Sequence, residues 1–277
     1  MNEFDSKKQN QEGRIQLKDF SSIAVVTIRR PAAHNAMTSK MWLELENISR
    51  RIAENPITKV VILRGAFEYF TAGSDLKEFS QMPIEEVDET FALMEQAISS
   101  IERLPIPTIA CLKGAAMGAG LELALACDLR VAAENVRLGM PIARLGITIG
   151  IPFARRLVDL IGPSRAKDLL LTGRHLSAQE AQGIGMVNYV TSLGKVENFA
   201  LRLAKTIAYN SQASVRTAKE AVSLCLPQRD VPWRTNVEPY WVDKGDFGEG
   251  VNAFIEKRVP RFKRLRRRSK QNEPDAT

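Results

Sequence analysis

Glu122 is the only charged residue between Gly114 and Cys127 in the stretch KGAAMGAGLELALACD, residues 113–128. Its neighbours in that interval are all apolar or glycine. A surface helix carries charge every few residues on its wet face. This segment has no wet face and reads as a buried helix. Taking an ionised carboxylate out of water is costly, so Glu122 must be paired, protonated or used in chemistry. The residues alone leave these three open. The plainer alternative is a buried glutamate held by a structural arginine.

Two glycine-containing turns stand where such chemistry could be completed. FTAGSDLKEF, Phe70–Phe79, follows one apolar run, and KGAAMGAGLE, Lys113–Glu122, follows another. Both lead from a strand into a helix, and the first N–H groups of a helix lack intrahelical partners. Two such N–H groups aimed at one point would stabilise a developing oxyanion. Ala72, Gly73 and Ser74, with Gly118, Ala119 and Gly120, are small enough to let a ligand approach the backbone. Neither turn carries the full GxGxxG fingerprint or a P-loop ending. Ser74 lies in AGSDL, which is not the GxSxG elbow of a nucleophilic serine. Asp75 is placed to cap the short helix after it, and Asp128 reads as structural. His34 and His175 lie in polar, loop-like contexts and receive no catalytic role.

The elements that must hold these turns alternate in type. Residues 14–29 read as a β-hairpin with its second strand at Ile23–Ile28. Ser39 to about Ala53 has helical apolar spacing, as does Ile84–Arg103 with Phe91, Met94, Ile98 and Ile101 on one face. Val60–Leu63, Pro107–Leu112 and Leu129–Ala132 read as short core strands. This alternation predicts an α/β layered core with parallel pairing. Beyond about residue 163 the chain reads as helices: Ser164–Leu171, Ser177–Gln182 with a Ser177/Glu180 capping box, Lys195–Ala208, Ser214–Leu224 and Gly248–Lys257. The expected organisation is a disordered N-terminus over 1–13, a core domain over 14–200, a helical C-terminal region over 201–262 and a basic, solvated and disordered tail over 263–277.

With 277 residues, 44% of them hydrophobic, the chain can bury a full core. Its three cysteines are far apart and form neither a disulfide framework nor a metal spacing, which suits a reducing cytoplasm. Cys111 and Cys127 sit in apolar runs as small core residues. The polar N-terminus lacks an apolar signal region, and no run of about 18 uncharged apolar residues exists to span a membrane. The C-terminal PDAT is not a peroxisomal address. The net charge of +7 matches the seven cations of one segment: Arg261, Lys263, Arg264, Arg266, Arg267, Arg268 and Lys270. That tail could attract nucleic acid or other polyanions, but Phe262 is its only aromatic, so no stacking platform is indicated.

The two turns, in this order, resemble those of the crotonase superfamily of enoyl-CoA hydratases and isomerases. Three further stretches carry the likeness: IAVVTIRRPAAHNAM (23–37), LTGRHLSAQEAQGIGMVNYV (171–190) and GVNAFIEKRVPRF (250–262). The resemblance covers most of the chain. It implies a spiral of ββα turns, which makes residues 14–200 a crotonase-like core domain, with a helical C-terminal trimerisation region. It also implies trimers or pairs of trimers, and acyl-CoA thioester substrates. Coenzyme A would enter as part of the substrate, with no tightly bound cofactor and no metal. By matching motifs, the oxyanion N–H groups would come from Ser74 and Ala119, and Glu122 would be a catalytic acid/base. Coenzyme A contacts would fall at Arg30, Ala36, Ala72, Asp75, Leu76 and Lys77, and at Phe254 and Lys257 near the C-terminus.

One position departs from the hydratase pattern. The second glutamate expected directly after the proline of LGMPIARLG is Ile142 here. Arg144 cannot serve as an acid or base at ordinary pH. The favoured expectation is reversible hydration of a 2-enoyl-CoA with Glu122 as acid/base. Double-bond isomerisation, or a decarboxylase or hydrolase reaction, is the alternative within the family. A catalytically weak coenzyme A- or nucleic-acid-binding relative is the alternative of another class.

Overall fold

The computed structural model describes residues 13–226, 241–243 and 245–262. The N-terminal segment 1–12 and the cations from Lys263 to Lys270 lie outside the described residues. The hairpin is present as β1 (Arg14–Phe20) and β2 (Ile23–Arg29), paired antiparallel with Leu17 opposite Val26. From β2 onward the main sheet is parallel, in the order β1-β2-β3-β4-β6-β9. The remaining members are β3 (Val60–Gly65), β4 (Thr108–Leu112), β6 (Leu129–Ala133) and β9 (Tyr189–Thr191). A second sheet, β5-β7-β8, is built from β5 (Ala115–Met117), β7 (Arg137–Gly139) and β8 (His175–Ser177).

The strands are apolar runs rather than alternations because both faces of the main sheet are covered. On one face Val26, Ile28, Leu63, Ala110 and Leu112 pack in the larger core with α1 (Ser39–Glu54) and α3 (Ile84–Glu102). On the other, Val25, Ile62, Ile109 and Val131 meet α7 (Val196–Tyr209) through Ala200, Ala204 and Ala208. Alanines four apart give α7 a flat stripe that lies close on the strands. α7 thus crosses the expected boundary at residue 200 while belonging to the sheet. Burial holds the Cys111 and Cys127 thiols up at about 12 each, so both act as small core residues. Asp128 is structural as expected: its carboxylate accepts from the Thr108 N–H at 2.8 Å and pairs with Lys219 at 2.8 Å.

Several boundaries differ from the sequence reading. Residues 113–128 are not one helix: β5 comes first, and α4 is only Ala119–Leu125. The apolar run has no wet face because both pieces are interior. The short strands β5, β7, β8 and β9, three residues each, escape a periodicity reading. α5 runs over Ile151–Thr172, where only Ser164–Leu171 was expected. Gly162, at φ 76°, and Pro163 kink it, since proline removes a backbone donor and clashes with the preceding turn. The remaining helices are α2 (Leu76–Phe79), α6 (Ala178–Gly183), α8 (Gln212–Cys225) and α9 (Asp246–Ile255). The Ser177/Glu180 capping box opens α6 as read.

Candidate active site

The first turn is shaped by a buried threonine and a buried asparagine. Thr71 Oγ1 donates to the Asn35 carbonyl at 2.8 Å and accepts from the Gly73 N–H at 3.0 Å. Asn35 Nδ2 donates to the carbonyls of Ala66 and Tyr69, both at 2.8 Å. The turn then runs beside Met37: the Met37 N–H donates to Gly73 O, and the Asp75 N–H donates to Met37 O. These two bonds fix the residues on either side of Ser74. In a parallel ladder the intervening N–H points the opposite way, so that of Ser74 points away from Met37. The Ser74 hydroxyl contacts Trp42 Nε1 at 3.3 Å and Met94 Sδ at 3.4 Å, with no base beside it. Among the described residues no histidine or carboxylate is hydrogen-bonded to it to activate it as a nucleophile.

The second turn is tied to the first. The Thr71 N–H donates to Ala115 O, and the Met117 N–H donates to Thr71 O. Gly118, at φ 53°, reverses the chain and donates to Gly139 O at 2.9 Å. Ala119 follows as the first residue of α4. Close packing explains the glycines. A Cβ on Gly73 would lie 2.6 Å from Met117 O and 3.4 Å from Ala119 N, and one on Gly120 would lie 2.7 Å from Thr71 O. Among the described residues neither the Ser74 nor the Ala119 N–H has a protein acceptor. The two tied turns therefore each leave one backbone donor without a protein acceptor.

Both turns open onto a cavity of about 390 Å³ whose wall is mostly apolar. Phe79, Phe91, Met94, Ile147, Phe153 and Trp241 supply bulk, and Phe91 and Trp241 are stacked with centroids 6.3 Å apart. Ser74, Ala119 and Glu122 all lie on this wall, one helical turn separating the last two. Ile142 is there as well, so the place of the expected second carboxylate is filled by a hydrocarbon. His175, assigned no role from sequence, also lines the cavity; burial and then Arg137 and Arg144 depress its pKa. His34 lies elsewhere, packed on Tyr69 at 4.4 Å.

Glu122 is 5% exposed and touches Arg156, Nη1 to Oε1 being 3.2 Å. The plainer reading of the sequence thus has its arginine. That arginine, however, is already committed to Glu95, Nη2–Oε1 2.7 Å and Nη1–Oε2 3.1 Å. Burial, then the charge and hydrogen bond of Glu95, raise the Glu122 pKa well above the ordinary carboxylate value. For Glu95 burial acts upward, but hydrogen bonds from Glu122 and Arg156 outweigh it and the net shift is downward. Glu95 and Arg156 were both missed from sequence. Glu95 falls between Phe91 and Ile98 on the apolar face of α3, which was a readable signal. Arg156 lies in the half of α5 that was not expected to be helical.

The other sequence candidates surround the first turn or the C-terminal helix. Arg30 Nη1 pairs with Asp75 at 2.6 Å and donates to Ala36 O at 3.2 Å. Asp75 Oδ1 caps α2 by accepting from the Lys77 N–H, as expected. Ala72 and Lys77 are exposed, while Ala36 and Leu76 are half-buried. Ala72, Leu76 and Phe254 line the cavity; Lys257 is exposed just beyond α9. Among the described residues no group of three His, Cys, Asp or Glu could hold a metal ion, and no helix is long and apolar enough to cross a membrane.

Known proteins share this arrangement of chain. Residues 18–266 match the model of a family described as enoyl-CoA hydratase/isomerase. YngF of Bacillus subtilis, whose name places it among enoyl-CoA hydratases/isomerases, is 38% identical over 246 residues, 87% of this chain and 94% of that one. A short-chain-enoyl-CoA hydratase of Clostridium acetobutylicum is 34% identical over 246 residues, again 87% and 94%. The crystal structure of an enoyl-CoA hydratase from Bacillus anthracis superposes with a TM-score of 0.75 at 37% identity, covering 92% of this chain and 99% of that one. Together with the fold and the paired turns, these matches show that the chain belongs to the enoyl-CoA hydratase/isomerase family, the crotonase superfamily, and has its fold.

Proposed function

We propose that this protein hydrates 2-enoyl-CoA thioesters reversibly, with Ser74 and Ala119 N–H groups holding the thioester oxygen and Glu122 moving the proton. The observation that carries the reading is the placement of Glu122 one helical turn beyond Ala119, on the same cavity wall as the two backbone donors. As water attacks the β-carbon, charge moves onto the thioester oxygen. Two preorganised donors stabilise that enolate in a cavity whose wall is mostly apolar. Glu122 takes the proton of the attacking water and delivers a proton to the α-carbon, so one carboxyl serves both halves of the addition. Double-bond isomerisation is the second reading. The hydrocarbon at Ile142 favours it, since moving a proton between carbons requires one acid/base group only.

Coenzyme A is assigned to the rim formed by Arg30, Ala36, Ala72, Asp75, Leu76 and Lys77, with Phe254 and Lys257 approaching from the C-terminal side. Lys77 and Lys257 are exposed cations suited to phosphate. The Arg30–Asp75 pair holds the turn in shape rather than leaving a free carboxylate. The substrate carries coenzyme A, and no further cofactor is required by the chemistry. Residues 14–200 are assigned as the core domain and 201–262 as a helical region that assembles the chain into a trimer or a pair of trimers. Exposed Val222, Leu224 and Leu226 at the end of α8 support such an assembly. A cytoplasmic location fits the free cysteines. The test is loss of ultraviolet absorbance of crotonyl-CoA and of a longer 2-enoyl-CoA. Turnover by wild type that Glu122→Gln abolishes supports the assignment. Binding of the thioester without turnover of either substrate overturns hydration.

A further inference from the structure

A charged cluster lies directly behind the cavity wall. α3 contributes Glu95, Ser99 and Glu102; α5 contributes Arg156. The side chains of Arg156 and Glu95 are 2% and 1% exposed. Arg156 forks onto both Glu95 oxygens, reaches Glu122 at 3.2 Å and pairs with Glu102 at 2.8 Å. Ser99 Oγ donates to Glu95 at 2.7 Å and accepts from Arg156 at 3.0 Å. One guanidinium nitrogen, Arg156 Nη1, bridges the two carboxyls, 3.1 Å from Glu95 Oε2 and 3.2 Å from Glu122 Oε1, and so brings them together. Burying this many charges is expensive, and a well-packed apolar replacement is often at least as stable. Stability alone does not account for a cluster whose one cavity-lining member is Glu122.

We propose that Glu95 is the partner carboxylate through which Glu122 works, taking up the Glu122 proton and returning it, while Arg156 holds the two carboxyls in register. The inference rests on the assignment of Glu122 as the acid/base residue. The pair carries one proton at rest, on Glu122. When the attacking water gives a proton to the cavity-facing oxygen of Glu122, the resident proton passes to Glu95. The water oxygen bonds to the β-carbon, and the electron pair of the double bond moves onto the thioester oxygen. The enolate then collapses, its α-carbon takes the proton from Glu122, and Glu95 returns its own. One water has been added, and the pair again holds one proton. The second carboxylate missing at Ile142 is thus supplied from behind the wall rather than across the cavity. The charged groups facing Glu122 are Glu95 and Glu102 from α3 and Arg156 from α5, with Arg155 and Asp159 grouped around Glu102. Arg144 and His175 are the other charged or titratable groups on the cavity wall.

The test compares wild type, Glu95→Gln and Glu95→Asp by steady-state kinetics and by infrared difference titration of the resting protein. The glutamine amide keeps the shape of Glu95 but cannot accept a proton. The expected kcat loss in Glu95→Gln is on the order of tenfold to a hundredfold with KM little changed, and Glu95→Asp recovers part of it. In the infrared, a protonated-carboxyl band that Glu122→Gln removes is expected in wild type, titrating above the ordinary carboxylate range. In Glu95→Gln it is lost at lower pH, because Arg156 then acts on Glu122 alone. Wild-type kcat in Glu95→Gln, or an identical titration of that band, overturns the proposal. The infrared result stands whichever reaction the protein catalyses, so failure of the hydratase assignment is read separately, from absence of turnover in wild type. If Glu95→Gln does not fold, Ser99→Ala takes its place. It removes one hydrogen bond from the Glu95 carboxylate and is expected to shift the Glu122 band, and an unshifted band overturns the proposal.

Discussion

Glu122 and Arg156 approach to 3.2 Å, yet the guanidinium does not bring the Glu122 pKa down to the ordinary carboxylate value. The same guanidinium forks onto Glu95, and one positive charge cannot neutralise two buried carboxylates. Burial and the neighbouring Glu95 charge therefore win at Glu122. The consequence is a carboxyl poised to carry a proton on the wall of an apolar cavity.

Replacing Glu122 by Gln should lower turnover of a 2-enoyl-CoA by on the order of a hundredfold or more. Binding of the thioester, measured by calorimetry, should stay within a few-fold of wild type.

The same substitution has a stability signature. The folded-state pKa of Glu122 is raised, so the folded protein penalises its ionisation and wild type loses stability as pH rises from the ordinary carboxylate value toward the raised one. Gln does not ionise. The melting temperature of Glu122→Gln relative to wild type should therefore be higher at about pH 8 than at about pH 4. Equal differences at both pH values would contradict the protonated state.

Gly120→Ala should separate the two turns. Its Cβ would meet Thr71 O at 2.7 Å and Gly73 N at 3.3 Å, both backbone atoms that cannot swing away. Misplacing the donors should reduce kcat by about a hundredfold to a thousandfold. Circular dichroism should show the fold retained.

The cavity of about 390 Å³ is larger than a four-carbon acyl group needs. Each added methylene that is buried contributes about 0.8 kcal/mol, or roughly fourfold in kcat/KM. Activity should rise from crotonyl-CoA to longer 2-enoyl-CoA substrates. Ile147→Phe, which adds bulk to the wall, should remove that gain and spare crotonyl-CoA.

Ile142→Glu places a second carboxyl on the cavity wall. If the reaction is limited by proton traffic to water, hydration should increase relative to isomerisation by about tenfold or more. Product analysis of a 3-enoyl-CoA and a 2-enoyl-CoA reads the ratio directly.

Much of this protein is written locally. Apolar runs such as Ile23–Ile28 and Val60–Leu63 read as buried strands because they are covered on both faces, and the structure extends each only by one or two residues. The glycines of the two turns and the isolated Glu122 were legible because local backbone geometry and the cost of buried charge act through neighbours in sequence. Ile142 was visible as a departure for the same reason. What surrounds Glu122 was decided by tertiary packing. Arg156 is 34 positions away from it, and Glu95 becomes its partner only when α3 and α5 close over α4. Pro152, Gly162 and Pro163 interrupt the pattern of α5 and hide a helix whose buried face carries that arginine. The strands β5, β7 and β8 are three residues each, too short for an alternation to declare itself. The sequence alone required that Glu122 have a use or a partner. Packing decided that its neighbours are one guanidinium shared with a second carboxylate, because a buried charge can be met only by the side chains the fold brings within reach.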